Sequence, residues 1–278
     1  MKILDIIYKN SKCIMVQNEK YEIIIPLEYG LRILSFKDKN SFNFLGEDIE
    51  VSRKFENDSW HIRGGHRLWC TPEEFPRTYL PDNDKIDYKI DNERLILIQK
   101  INKKTQIQKK MILEFINNGK ELMVEHILIN KGLWPINTAA WAITILKTGG
   151  IATVPLNKRK EDLLSTKLFS LWSYCDLSDK RINFKKDMFT LKQDTNNKDS
   201  FKIGTNNEEG YASYELGKYR FKKCFNFFEG KEYPDNGCSF EIFTDDKVLE
   251  LETLSPIYCI KPNEKISHIE KWSISKID

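Results

Sequence analysis

The sequence predicts an all-β protein of large, twisted antiparallel sheets with few short helices. Runs of Ile, Val, Leu, Phe and Tyr recur about every ten residues, each bounded by Asn, Asp, Gly or Lys, as strands and turns do in a sandwich or barrel. No stretch keeps its apolar residues in helical register for four turns.

Ile3–Tyr8, Tyr21–Leu27 and Leu31–Phe36 open the series of strands. Arg94–Ile101, Gln106–Phe115 and Glu121–Asn130 follow, the last two joined by Asn117-Asn118-Gly119, residue types that accept the positive φ of a tight hairpin. Ala139–Lys147 ends at Thr148-Gly149-Gly150. One helical candidate comes next, Lys158–Thr166, where Glu161, Asp162, Leu163 and Leu164 can make two turns. Phe169–Tyr174, Met188–Gln193, Tyr211–Leu216, Cys238–Thr244, Lys247–Thr253 and His268–Ile274 complete the set, with Asp245-Asp246 turning between two of them. About twenty strands exceed a seven-stranded sandwich, so the sheets must be broad. No linker rich in Pro, Gly or Ser divides the chain, and no period repeats, so residues 1–278 are expected to form one domain and not a propeller.

Composition narrows the function. Lys plus Arg number 44 against 41 Asp plus Glu, a net charge of +3, which leaves no large basic face for a phosphate backbone; nucleic acid and membrane partners are not expected. The first eight residues lack a cleavable leader pattern, so a cytoplasmic protein is expected. Six cysteines lie far apart without CxxC pairs and read as reduced, mostly buried filling, Cys70 included. His61 and His66 match no trusted metal spacing, and neither a metal nor a cofactor is expected.

The densest polar segment runs from Trp60 to Glu73 and reads as a loop. It holds two Trp, two His, two Arg and the pair Gly64-Gly65. Glycines permit close approach of a ligand to the backbone, Arg63 and Arg67 offer planar donor forks, and Trp60 or Trp69 offers a face for a sugar ring. The competing account is a structural corner. A second constellation is Glu250-Leu251-Glu252, where a period of two sets both carboxylates on one face, close enough for one to resist ionisation in a cleft. Two solvated glutamates on an exposed face would read the same way. His126 in Val124–Leu128 reads as a satisfied core residue, and Asp235 sits in a turn composition, Tyr233-Pro234-Asp235-Asn236-Gly237. Arg32, an isolated charge in an apolar strand, should point to a cleft or to a buried carboxylate.

Taken in order, Gly30–Phe36, Arg63-Gly64-Gly65-His66-Arg67-Leu68-Trp69, Trp141-Ala142-Ile143-Thr144, Tyr233-Pro234-Asp235 and Glu250–Pro256, with Trp272 in the closing strand, resemble the galactose mutarotase-like superfamily. Within it the chain is similar to a bacterial family carrying a G-G-H-R-L-W signature and related to aldose 1-epimerases. The resemblance spans essentially the whole chain and implies a β-supersandwich that binds carbohydrate. It also implies a general base at Glu252 and an arginine lining the sugar site at Arg63. Where the superfamily presents its acid histidine, this chain has Trp141, which gives up no proton at neutral pH. Two expectations follow. One is an isomerase acting on an aldose or sugar derivative, with Glu252 as base, His66 as acid, and Arg32, Arg63, Arg67, Trp69, Trp141, Asp235 and Glu250 around the sugar. The other is a carbohydrate-binding domain without turnover.

Overall fold

A computed structural model describes residues 1–158 and 163–277. The expected all-β class holds: two large antiparallel sheets dominate. The ten-stranded sheet runs, edge to edge, Ile182–Phe184, Met188–Lys192, Ile151–Pro155, Tyr211–Leu216, Tyr219–Phe225, Lys265–Lys276, Glu121–Asn130, Ile107–Ile116, Arg94–Ile98 and Asp87–Asp91. The seven-stranded sheet runs Phe169–Leu171, Phe201–Thr205, Phe240–Thr244, Leu249–Leu254, Ala140–Leu146, His66–Cys70 and Arg32–Ile33. A four-stranded sheet is built from Lys2–Tyr8, Ser11–Gln17, Tyr21–Pro26 and Ser35–Asp38. The helical candidate at 158–166 lies partly outside the described residues, and residues 163–166 form bend and coil.

Alternation explains the layering. Inward residues of both large sheets, such as Leu68, Ala140, Leu251, Ile242 and Ile203 from one and Leu113, Val124, Phe221 and Trp272 from the other, join a single apolar core. The opposite face of the seven-stranded sheet carries a second apolar cluster, with Trp69, Trp141, Ile143, Ile145 and Leu254 covered by Trp60 and Ile62. Trp60 comes from the hairpin Ser52–Phe55/Asp58–His61, which folds back over that face.

The segment around Gly64-Gly65 is not a binding loop. Asp58–His61 and His66–Cys70 are strands, and the glycines make the corner between them with φ of 77° and 72°. A Cβ on Gly64 would fall 2.2 Å from the Gly46 carbonyl oxygen, and one on Gly65 2.2 Å from that of Ile33. The close approach the glycines permit is therefore to neighbouring backbone. Of the cysteines, Cys13 and Cys238 are buried, Cys259 is exposed, and the others are half-buried, all as free thiols. Among the described residues, no helix is long and apolar enough to cross a membrane.

Candidate functional site

In the strand Leu249–Leu254, Leu249 and Leu251 join the central core while Glu250, Glu252 and Leu254 face away from it. Register then builds a line of side chains across the sheet. Glu252 stands opposite Glu241 on one flank and Ile143 on the other. Ile143 faces Arg67, Arg67 faces Arg32, and Glu241 faces Gly204. Gly204 makes room, since a Cβ there would meet Cys238 Sγ at 2.5 Å and Glu241 Cγ at 3.3 Å.

Charge pairing organises this face. Lys202 Nζ lies 2.7 Å from Glu241 Oε2 and 3.0 Å from Glu252 Oε2. Trp141 donates its indole N–H to Glu252 Oε2 at 2.7 Å. The Lys202 ammonium also sits 4.8 Å from the Trp141 ring and 4.6 Å from the Trp172 ring, an aromatic sandwich for a cation. Nearby, Arg67 pairs with Glu250 at 3.1 Å and stacks 4.4 Å from the Trp69 ring. All five charged side chains are buried.

Such burial is sustainable only because the charges are paired. Desolvation opposes the charge on Lys202, but the Glu252 and Glu241 carboxylates outweigh it and hold its pKa well above the ordinary lysine value. Desolvation pushes Glu241 well above the usual carboxylate range, with Lys202 pulling it down and Glu252 pushing it further up. Glu250 is raised by desolvation too, against the pull of Arg67. The cluster thus sets two carboxyl groups, Glu241 and Glu252, on one ammonium, with the Trp141 indole on the second of them. Glu252 Oε1 and Arg67 Nε and Nη1 are buried without hydrogen-bond partners.

The structure brings Arg67, Trp69, Trp141, Glu250 and Glu252 together and separates others from them. His66 is the main correction. It faces the interior between the two sheets, on the side of the sheet opposite Glu252, and is fully buried. Its Nδ1 lies 2.9 Å from Thr144 Oγ1, and its Nε2 2.7 Å from His126 Nε2. Desolvation holds its pKa well below the ordinary histidine value. His66 therefore cannot act as an acid opposite Glu252. Arg32 resolves toward a carboxylate, not a cleft: it is fully buried, donates to the Ile62 carbonyl at 2.8 Å and pairs with Asp82 at 2.9 Å. Arg63 donates to Asn83 and stacks 4.1 Å from the Tyr29 ring, so its guanidinium is spent away from the glutamates. Trp69 has no open face for a sugar, being packed by Trp60, Trp141, Tyr79 and Arg67 and only 7% exposed. Asp235 takes a left-handed conformation in the turn Pro234–Gly237, and its charge reaches Glu241.

Sequence reasoning missed Lys202, Glu241 and Trp172. Phe201-Lys202-Ile203 and Phe240-Glu241-Ile242 each show a charge between apolar residues, the same signal as any solvent-facing strand position. Only the strand order reveals that both flank Glu252.

The interior behind the sheet holds a separate polar network. His126 Nδ1 lies 3.0 Å from the His268 carbonyl, which accepts its proton and leaves Nε2 as the acceptor for the His66 Nε2–H. Glu270 accepts from Thr253, from Trp272 at 2.7 Å and from Lys223 at 2.9 Å. Ligand atoms of His66, His126 and Glu270 lie within 4.8 Å of one another, yet each is engaged in this network and Lys223 sets a positive charge against the carboxylate.

Neither a family model nor a curated protein matches the sequence. The fold does match solved structures. A proposed mutarotase from Salmonella typhimurium superposes with a TM-score of 0.62 at 12% identity, over 99% of this chain and 94% of the other. A proposed aldose 1-epimerase from Klebsiella pneumoniae gives 0.62 at 10% identity, over 98% and 83%. A galactose mutarotase-like protein from Lactobacillus casei gives 0.58 at 10% identity, over 95% and 100%. With strand content, sheet pairing and these matches in agreement, the chain has the galactose mutarotase-like fold.

Proposed function

We propose that the protein binds a carbohydrate on the outer face of its seven-stranded sheet, around Arg67, Trp141, Glu250 and Glu252. The observation that carries this reading is the set of unpartnered buried atoms there: Glu252 Oε1 accepts, and Arg67 Nε and Nη1 donate. A buried polar atom without a partner is costly, and a polyol supplies donors and acceptors at once. The mutarotase and epimerase descriptions of the matched structures support the same ligand class. Glu252 and Lys202 are closed from solvent, so a sugar reaches them by displacing the half-buried Trp172 and the exposed Tyr174.

The test is calorimetry and saturation-transfer NMR against neutral, phosphorylated and acidic monosaccharides. Binding of at least one, weakened about tenfold or more by Glu252→Gln, supports the proposal. No binding of any at millimolar concentration overturns it.

A second reading adds turnover, favoured by one observation: Glu241, whose hold on its proton burial strengthens, and Glu252 meet at one ammonium. In this reading Glu252 takes the anomeric hydroxyl proton while Glu241 protonates the ring oxygen. The C1–O5 bond breaks to give the open aldehyde. Closure on the other face of the carbonyl returns both protons. NMR exchange between α and β anomers checks it, and its absence leaves binding without turnover.

A further inference from the structure

Between the strands Glu121–Asn130 and Ile136–Thr138, the loop Lys131-Gly132-Leu133-Trp134-Pro135 turns two large apolar side chains outward. Leu133 is 84% exposed and Trp134 77%. Of the six indoles, four are buried and Trp172 is half-buried, so Trp134 alone stands in water. Asn130 sets the shape of this loop. Its buried side chain donates from Nδ2 to the carbonyls of Trp134 at 2.7 Å and Ile260 at 2.9 Å, and its Oδ1 accepts from the Gly132 N–H at 2.8 Å. An amide used on both sides fixes the backbone with the indole pointing away from the core. Apolar surface held out in this way forgoes the gain of burial, which a partner can return.

Lysines surround the tip. The Lys131 N–H donates to the Gln106 carbonyl at 2.8 Å and the Asn263 N–H to the Asn130 carbonyl at 2.7 Å, so the turns at 102–106 and 261–264 flank it. These segments bring Lys103, Lys104, Lys261 and Lys265 to the same end of the sheet as Lys131, all of them exposed. Carboxylates offset part of this charge: Glu56 pairs with Lys104, Glu264 accepts from the Lys261 N–H at 3.1 Å, and Asp58 and Asp84 share a groove with Lys103. Among the described residues, no ion pair holds Lys131, Lys261 or Lys265; the Lys131 ammonium donates to the Asn263 side-chain oxygen at 3.2 Å. A chain-wide charge of +3 excludes a broad basic face but not a local one beside an apolar tip.

We infer that residues 131–135 dock the protein on the surface of an anionic bilayer, with Leu133 and Trp134 in the boundary between headgroups and acyl chains and the lysines among lipid phosphates. An indole favours that boundary because its ring is apolar and its N–H is polar, and each lysine near an anionic leaflet adds attraction. Two such signals together give weak, reversible attachment to one leaflet, without a spanning segment. A second copy of the chain is the poorer occupant, since it would set the same lysines against these. The attachment is independent of the carbohydrate site, and neither reading needs the other.

The experiment mixes the full chain with vesicles of phosphatidylcholine alone, and of phosphatidylcholine and phosphatidylglycerol in about equal parts, and follows co-sedimentation and tryptophan emission. The expected result is binding to the anionic vesicles only, weakened by added salt, with emission moving to the blue as Trp134 leaves water. Trp134→Ser should weaken binding about tenfold or more and abolish the emission shift. The side chain lies outside the core, so this variant should melt with the wild type. Lys131→Glu should weaken binding while keeping the indole. No binding of the wild type to anionic vesicles, equal binding to neutral ones, or equal binding of Trp134→Ser overturns the inference. Should Trp134→Ser fail to fold, the wild-type emission decides: binding without a blue shift overturns it. Dimers in sedimentation velocity that Trp134→Ser dissolves, with no vesicle binding, also overturn it and assign the tip to a second copy.

Discussion

The indole N–H of Trp141 reaches Glu252 Oε2 at 2.7 Å from the adjacent strand, and the same oxygen accepts from Lys202 at 3.0 Å. One carboxylate oxygen thus anchors both the indole and the ammonium. Trp141→Phe keeps an aromatic ring and deletes the donor. Loss of a hydrogen bond to a buried charge should lower unfolding free energy by about 1–3 kcal/mol, measured by urea denaturation. A loss under a few tenths would mean the indole contributes packing alone.

Glu241 owes part of its elevation to Glu252. In Glu252→Gln that repulsion disappears while Lys202 keeps Glu241 as its remaining carboxylate, so Glu241 should titrate at lower pH than in the wild type. Carbon-13 carboxyl shifts report the change. If the protein equilibrates anomers, the same substitution should slow exchange about a hundredfold, the scale of a lost positioned base. An unshifted Glu241 titration would show that the two carboxylates do not sense each other.

Three interior histidines set an acid limit. Burial depresses His66 well below its ordinary value, lowers His126, and pushes His268 down to about 3. Depressed histidines bind protons in the unfolded chain before the folded one, so their stability contribution is present above about pH 6.5 and lost as pH falls. Each adds a slope of up to about 1.4 kcal/mol per pH unit. Glu241 and Glu250, with raised values, act in the opposite sense. The net expectation is a melting temperature that falls between pH 7 and pH 5. A flat profile there would mean these imidazoles are hydrated or already charged.

Lys223 and Glu270 form a wholly buried pair at 2.9 Å. Lys223→Met leaves Glu270 charged without its ammonium and should cost about 3–5 kcal/mol. Adding Glu270→Leu should recover much of that loss. A double variant as unstable as the single one would show that Thr253 and Trp272 need the carboxylate more than Lys223 does.

The sequence shows the fold class plainly because alternation and turn residues act locally. Glu121–Asn130 and Tyr211–Leu216 appear with the expected bounds. The pairing of Glu250 with Glu252 on one face is legible for the same reason. His66 went to the wrong side because its segment read as a loop. Treated as a strand, His66-Arg67-Leu68-Trp69 places His66 with Leu68 and apart from Arg67 and Trp69, as found. Lys202 and Glu241 could not be found this way. Their meeting at Glu252 depends on which strands lie side by side, and long-range pairing leaves no mark in a single sequence.

The chain from Thr144 through His66 and His126 to the His268 carbonyl has a fixed polarity, every link donating in the same direction. Its imidazole protons have no water to trade with. They should appear as sharp, far-downfield nitrogen-bound resonances that persist for hours after transfer into deuterium oxide, a built-in gauge of whether the two sheets ever part.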